Sequence, residues 1–210
     1  MNLGRRCLQN MKKKNEKALF IHRLGAFIID VFLVSCIASL ISYPFLDSKS
    51  INKLNDSATE LIEKYTNDEI DIETYTDEVK SVTYELAKKQ GASSLITITL
   101  TILYFVVYQY KRQGQTIGKQ LLKIKVVSSD DEKLTTNNYV IRALIINSVL
   151  VDLISLTFVI FGDINAYFYS TAICGFIKYG ILLTCAFMVM WSKSGMGLHD
   201  RLAHTMVVKA

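Results

Sequence analysis

Apolar residues in this chain fall in blocks separated by strongly charged stretches. Four blocks stand out, at residues 24–46, 93–110, 139–161 and 168–191. A hydrocarbon core of ~30 Å needs about 20 helical residues, so each block predicts a membrane-spanning helix. The block at 93–110 is the shortest and is expected to stand nearly upright or to recruit residues from 86–91. Within 47–92, Leu54, Ala58, Leu61 and Tyr65 recur at helical spacing, as do Tyr75, Val79, Val82 and Leu86. Asn67 and Asp68 are placed to break the two runs. This predicts a helical hairpin whose second arm runs toward the second span. Two short stretches have another period: Lys123–Val127 alternates and is β-branched, and so is Thr205–Val208. They predict two strands paired into a ribbon, which must lean on the helices because two strands alone are marginal in water.

Charge sets the orientation. The tail at 1–23 is basic through Lys12, Lys13, Lys14 and Lys17; 47–92 is acidic; 111–138 carries Lys111, Arg112, Lys119, Lys123 and Lys125. The turn at 162–167 is short, and 192–210 holds Lys193, Arg201 and Lys209. Basic segments alternating with acidic or neutral ones predict both termini on the cytoplasmic side. The expected fold is therefore an all-α membrane protein: a four-helix transmembrane bundle, an extracytoplasmic acidic helical hairpin and a small cytoplasmic β-ribbon. The run at 24–46 is too long for the apolar core of a signal peptide, so it reads as a retained helix. The net charge of +5 points to anionic lipid head groups, because the basic residues flank apolar blocks. The aromatic–basic interleaving of a nucleic-acid platform is missing from the sequence. Cys7, Cys36, Cys174 and Cys185 have neither metal-ligand spacing nor a disulfide pattern, so no cofactor is expected.

Charge inside a span is costly and marks a pairing or a pathway. Three such residues stand out: Asp30, Asp152 and Lys178. Arg23 lies seven residues before Asp30, on nearly the same helix face and roughly 10 Å away along the axis. That is long for a direct ion pair, so a bridging group such as Arg142 or Asn147 is expected. Asp152 and Lys178 sit on antiparallel neighbours and read as a buried ion pair or as a titratable site. His199 and His204, five apart, make a weak metal pattern; Asp200 between them reads better as a cap or as a partner of Arg23, Lys119 or Arg142. Gly114-Gln-Thr-Ile-Gly118-Lys119 lacks the glycine spacing and the following Ser or Thr of a P-loop. No hydrolytic arrangement is evident, so an enzyme is not expected.

Arg23-Leu-Gly-Ala26-Phe-Ile-Ile-Asp30 resembles the opening helix of the RDD family of membrane proteins, named for one arginine and two aspartates. Gly114–Lys119 through Val126 and Val127 looks like that family's inner loop, Arg142 like an arginine at the start of its next helix, and Gly197–Thr205 through Val208 like its closing motif, with Asp200 as the second aspartate. The long acidic hairpin departs from the family pattern, and Lys178 has no counterpart in it. The resemblance implies one RDD-like domain in a bacterial-type cytoplasmic (inner) membrane. It also implies a suspected role in transport.

Two functions follow. The first is transport of an ion or small solute, most concretely cation/proton exchange, through Arg23, Asp30 and Asp200 with Asp152 and Lys178 continuing the path. Four helices are few for alternating access, so a homodimer would help. The second is a non-transporting scaffold or accessory subunit whose charged network is structural.

Overall fold

The computed structural model describes residues 16–130, 132–192 and 194–210. Cys7, Lys12, Lys13, Lys14 and Lys193 lie outside the described residues. Helix α1, Phe20–Ser42, continues through a 3-10 turn to Phe45. It starts before the apolar block does, because His22 and Arg23 lower hydropathy without opposing helix. Pro44, which has no N–H to donate, lies in the closing turn.

Helices α2 (Ser48–Thr66) and α3 (Ile72–Lys89) form the hairpin. The Asp47 carboxylate accepts from Ser50 N at 3.2 Å, and that of Asp71 from Thr74 N at 2.8 Å, capping their N-termini. The break falls at Asn67, the C-cap of α2, and at Asp68, whose φ of 56° is left-handed. Tyr65 and Tyr75 stack at 4.7 Å beside it.

Helix α4, Gly91–Lys111, includes a π-helical stretch at Leu103–Tyr108. Then come α5 (Ile117–Leu121) and β1 (Ile124–Ser128). Residues 139–161 do not form one helix. α6 (Thr136–Ile146) ends at Asn147, its C-cap, and α7 (Val149–Phe161) begins after Ser148, whose φ is 55°. Two adjacent small polar residues tolerate the non-helical backbone here, which apolar bulk would resist. Helix α8, Ile164–Trp191, starts inside the stretch expected as a turn, because Asp163 accepts from Ala166 N at 2.7 Å and caps it. The chain closes with α9 (Leu198–Leu202) and β2 (Thr205–Lys209). The two strands pair antiparallel, Val126 opposite Val207 and Ser128 opposite Thr205. Lys17 adds a bridge to Val208, so the ribbon gains a third short edge.

Three described helices are long and apolar enough to cross a membrane, at Phe20–Phe45, Gly91–Lys111 and Ile164–Trp191; α6 with α7 makes a fourth if the broken pair counts as one span. The protein is a mostly helical membrane protein with a small two-stranded sheet.

The chain divides into two compact units. The first comprises residues up to Cys36, Leu100–Val149 and Lys178–Ala210. Ala26, Val34, Phe105, Ile124, Val126, Tyr139 and Val207 form its buried core, so the ribbon packs onto helices as its size requires. The second comprises Ile37–Thr99 and Leu150–Ile177. There the Tyr84 hydroxyl donates to Gly162 O at 2.5 Å, the Tyr84 ring lies 5.4 Å from that of Tyr167, and Lys89 pairs with Asp47 at 3.3 Å.

A β-branched residue fits the left-handed backbone at Ser148 poorly. Ser148→Val is expected to lower stability by about 1–2 kcal/mol, while Ser148→Gly is tolerated. Thermal unfolding in detergent measures both.

Candidate functional site

Two carboxylates organise the first unit, and each is held differently. Asp200, fully buried, lies on α9. One of its oxygens accepts from Arg142, and the other accepts from Arg23 at 3.0 Å and from Gly197 N at 3.1 Å. Arg142 also donates to Thr205 Oγ1 at 2.6 Å, and Arg23 to Val207 O at 3.0 Å. The aspartate thereby gathers α1, α6, α9 and β2 at one point. Burial works against its charge, but Arg142, His199 and Arg23 outweigh that and hold its carboxyl at about 2. His199 is driven down to about 4, first by burial and then against the pull of Asp200, by Arg142, Arg23 and Lys119. It is therefore neutral near pH 7, with Nδ1 at 3.3 Å from Cys185 Sγ.

Asp30 takes no arginine. Its Oδ1 accepts from the Tyr104 hydroxyl at 2.6 Å and from Gly118 N at 2.7 Å, and its Oδ2 from Thr116 Oγ1 at 2.5 Å. The Tyr104 hydroxyl accepts in turn from Ile117 N at 2.9 Å. So α1 and α4 seize the start of α5 together. Gly118 permits the approach: a Cβ there would collide with the Ala26 carbonyl and sit 2.9 Å from Asp30 Oδ1.

This geometry corrects the expected network. Arg23 turns to Asp200, not along its own helix to Asp30, and neither Arg142 nor Asn147 bridges the two. Asn147 instead terminates α6. Of the three cations considered for Asp200, Arg23 and Arg142 reach it, while Lys119 forms no hydrogen bond or salt bridge to it. Asp152 lines a pocket in the second unit with Ser93, Thr97 and Ser155, and Lys178 lies on α8; neither side chain is without a partner. Among the described residues no three His, Cys, Asp or Glu side chains gather as a metal group. His204 is exposed against Asp130 at 2.8 Å.

Tyr104, Thr116 and Gly118 were not singled out as site residues. Thr116 has the sequence signature of a helix cap, but nothing local tells which carboxylate a Tyr inside an apolar run will meet.

Beside both clusters lies a cavity of about 600 Å³, lined by Arg23, Asp30, Lys119, Arg142, Asn147 and His199 on an otherwise mostly apolar wall that includes Phe27, Phe105 and Leu182. Lys119 is partly buried at its edge. Desolvation, reinforced by Arg142 and opposed by Asp30 and Asp200, brings its ammonium down to about 7.

Long apolar helices, with one buried Arg–Asp cluster among them, are those of a helical membrane protein. The model of the RDD family matches residues 17–204, and the chain belongs to that family. No curated protein and no solved structure matches it.

Asp200→Asn removes the charge between two buried guanidiniums and is expected to cost about 3–5 kcal/mol, read by unfolding of the purified protein in detergent. Lys119 binds its proton less tightly folded than unfolded, so its penalty is complete below pH 7 and fades as pH rises from about 7 toward 10.5. Lys119→Met should therefore raise the unfolding midpoint at pH 6, and the gap to wild type should close toward pH 10.

Proposed function

We propose that this RDD-family protein binds a small solute in the cavity and carries it across a cytoplasmic-type membrane, with the chain's basic segments facing the cytoplasm. The observation behind this reading is the cavity itself, with the Lys119 ammonium at its edge and no acceptor on it among the described residues. A purely structural lock of Arg23, Asp200 and Arg142 needs no such space, because close-packed interiors leave few voids larger than a water. A volume of about 600 Å³ falls within the ~300–1,000 Å³ typical of ligand sites.

Occupied acceptors bear on which solute is carried. Cation/proton exchange asks a carboxylate to give up a proton and accept a cation. Asp200 is already ionised between two guanidiniums, and Asp30 accepts three hydrogen bonds. That favours a solute with acceptor groups over a metal ion. The exchange version rests on Asp30 and Asp152 being vacated during a cycle, and a homodimer would supply the further helices for such a cycle. The scaffold reading has one observation in its favour, the same saturation of both carboxylates.

Sealed vesicles carrying the purified protein separate these readings. Probes are H⁺, Na⁺, K⁺, Li⁺, phosphate and short alkyl carboxylates, with wild type beside Ala186→Trp, which narrows the cavity from its lining, and Asp30→Asn. Flux of at least one probe, lost in a folded Ala186→Trp, is the expected result. A folded, correctly oriented wild type that moves none of them transfers the assignment to the scaffold.

A further inference from the structure

The cavity lining is unbalanced in charge. Arg23, Arg142 and Lys119 line it against one carboxylate, Asp30, whose oxygens are taken by Tyr104, Thr116 and Gly118. Asp200, which neutralises the guanidiniums, is fully buried and contributes nothing to the lining. Donors also outnumber acceptors. Among the described residues, Arg23 Nε is buried without a hydrogen-bond partner and no acceptor engages Lys119 Nζ. Unmatched buried donors carry a free-energy cost, which a guest bearing an anionic acceptor group would remove.

The rest of the lining is mostly apolar and reaches the outside of the unit. Tyr179 and Leu183 on α8 and Leu24 on α1 line the cavity, yet are 67%, 66% and 39% exposed. On spans this apolar, an exposed face meets hydrocarbon. The cavity therefore has a cationic end near the start of α1 and an apolar rim bordering the bilayer interior.

We infer that the cavity holds an anionic amphiphile, its phosphate or carboxylate head at Lys119 and the Arg23 and Arg142 guanidiniums and its alkyl chain along α1 and α8 toward the membrane. This rests on reading the cavity as a ligand site. The volume of about 600 Å³ gives room for a head group and part of a chain, with the remainder of the chain left in lipid. Such a guest enters sideways from the bilayer and never exposes its chain to water.

The test titrates the full-length protein, in a non-ionic detergent, with decyl phosphate, decyl phosphocholine or inorganic phosphate and counts bound ligand by native mass spectrometry. Decyl phosphate is expected to bind one per chain, about tenfold or more tighter than decyl phosphocholine, since one charge-assisted hydrogen bond corresponds to roughly that factor. Inorganic phosphate at equal concentration should not displace it. Lys119→Met should weaken binding about tenfold. Ala186→Trp should weaken it as well while leaving every cation in place; unchanged gel-filtration and melting profiles establish that both variants fold. Equal binding of the two amphiphiles, or indifference to both substitutions, overturns the inference. So does displacement by inorganic phosphate, which would mark a site for small free anions. Vesicle flux without amphiphile binding refutes this inference and leaves transport standing, whereas binding without flux does the reverse.

Discussion

Everything in the first unit depends on one carboxylate shared by two guanidiniums. Asp200 is fully buried, and moving such a charge out of water is expensive unless it is paired and hydrogen-bonded. Arg142 and Arg23 provide the pairing, and Gly197 N completes the acceptance. The same arginines reach onward to Thr205 and Val207 in β2. A two-stranded ribbon that would be marginal alone is thus tied to two helices through the ion cluster as well as through Val126 and Val207 in the core. The desolvation cost makes the arrangement all-or-none: each member is stable buried only while the others are in place.

Asp30 solves the same problem without a countercharge. Three hydrogen bonds, two from hydroxyls and one from a backbone amide, replace the water it lost. They also define where the loop after α4 can sit, because Thr116 and Gly118 must present donors to Asp30 on α1 while Ile117 N presents one to the Tyr104 hydroxyl on α4. The glycine is required by distance and not by backbone angle, since the Ala26 carbonyl leaves no room for a side chain. With one cluster saturated by arginines and the other by neutral donors, Lys119 faces the cavity without an acceptor among the described residues. The chemistry proposed for the site follows from that residue.

Much of the architecture was legible along the chain. The blocks of hydropathy mark the spans because a helix must be long and apolar to cross hydrocarbon. The hairpin is visible in its spacing and in Asn67 and Asp68, which break the helix where they stand. Arg23 and Arg142 were legible as candidate partners of Asp200, beside Lys119, and both pair with it. The break at Asn147–Ser148 was not recognised, because hydropathy runs across it and only the local backbone records it.

The sequence by itself determined that this is a membrane protein, where its helices and strands lie, and which charges must find partners, because those properties are set by local composition and period. It could not decide who those partners are. Arg23 lies 177 residues from Asp200 and Tyr104 lies 74 from Asp30, while Arg23 and Asp30, close neighbours on one helix, do not pair. Partner choice depends on which side chains the packed helices bring within about 3 Å of one another, and the cavity is the space left over by that packing. Neither has a local signature, so the tertiary structure alone decided them.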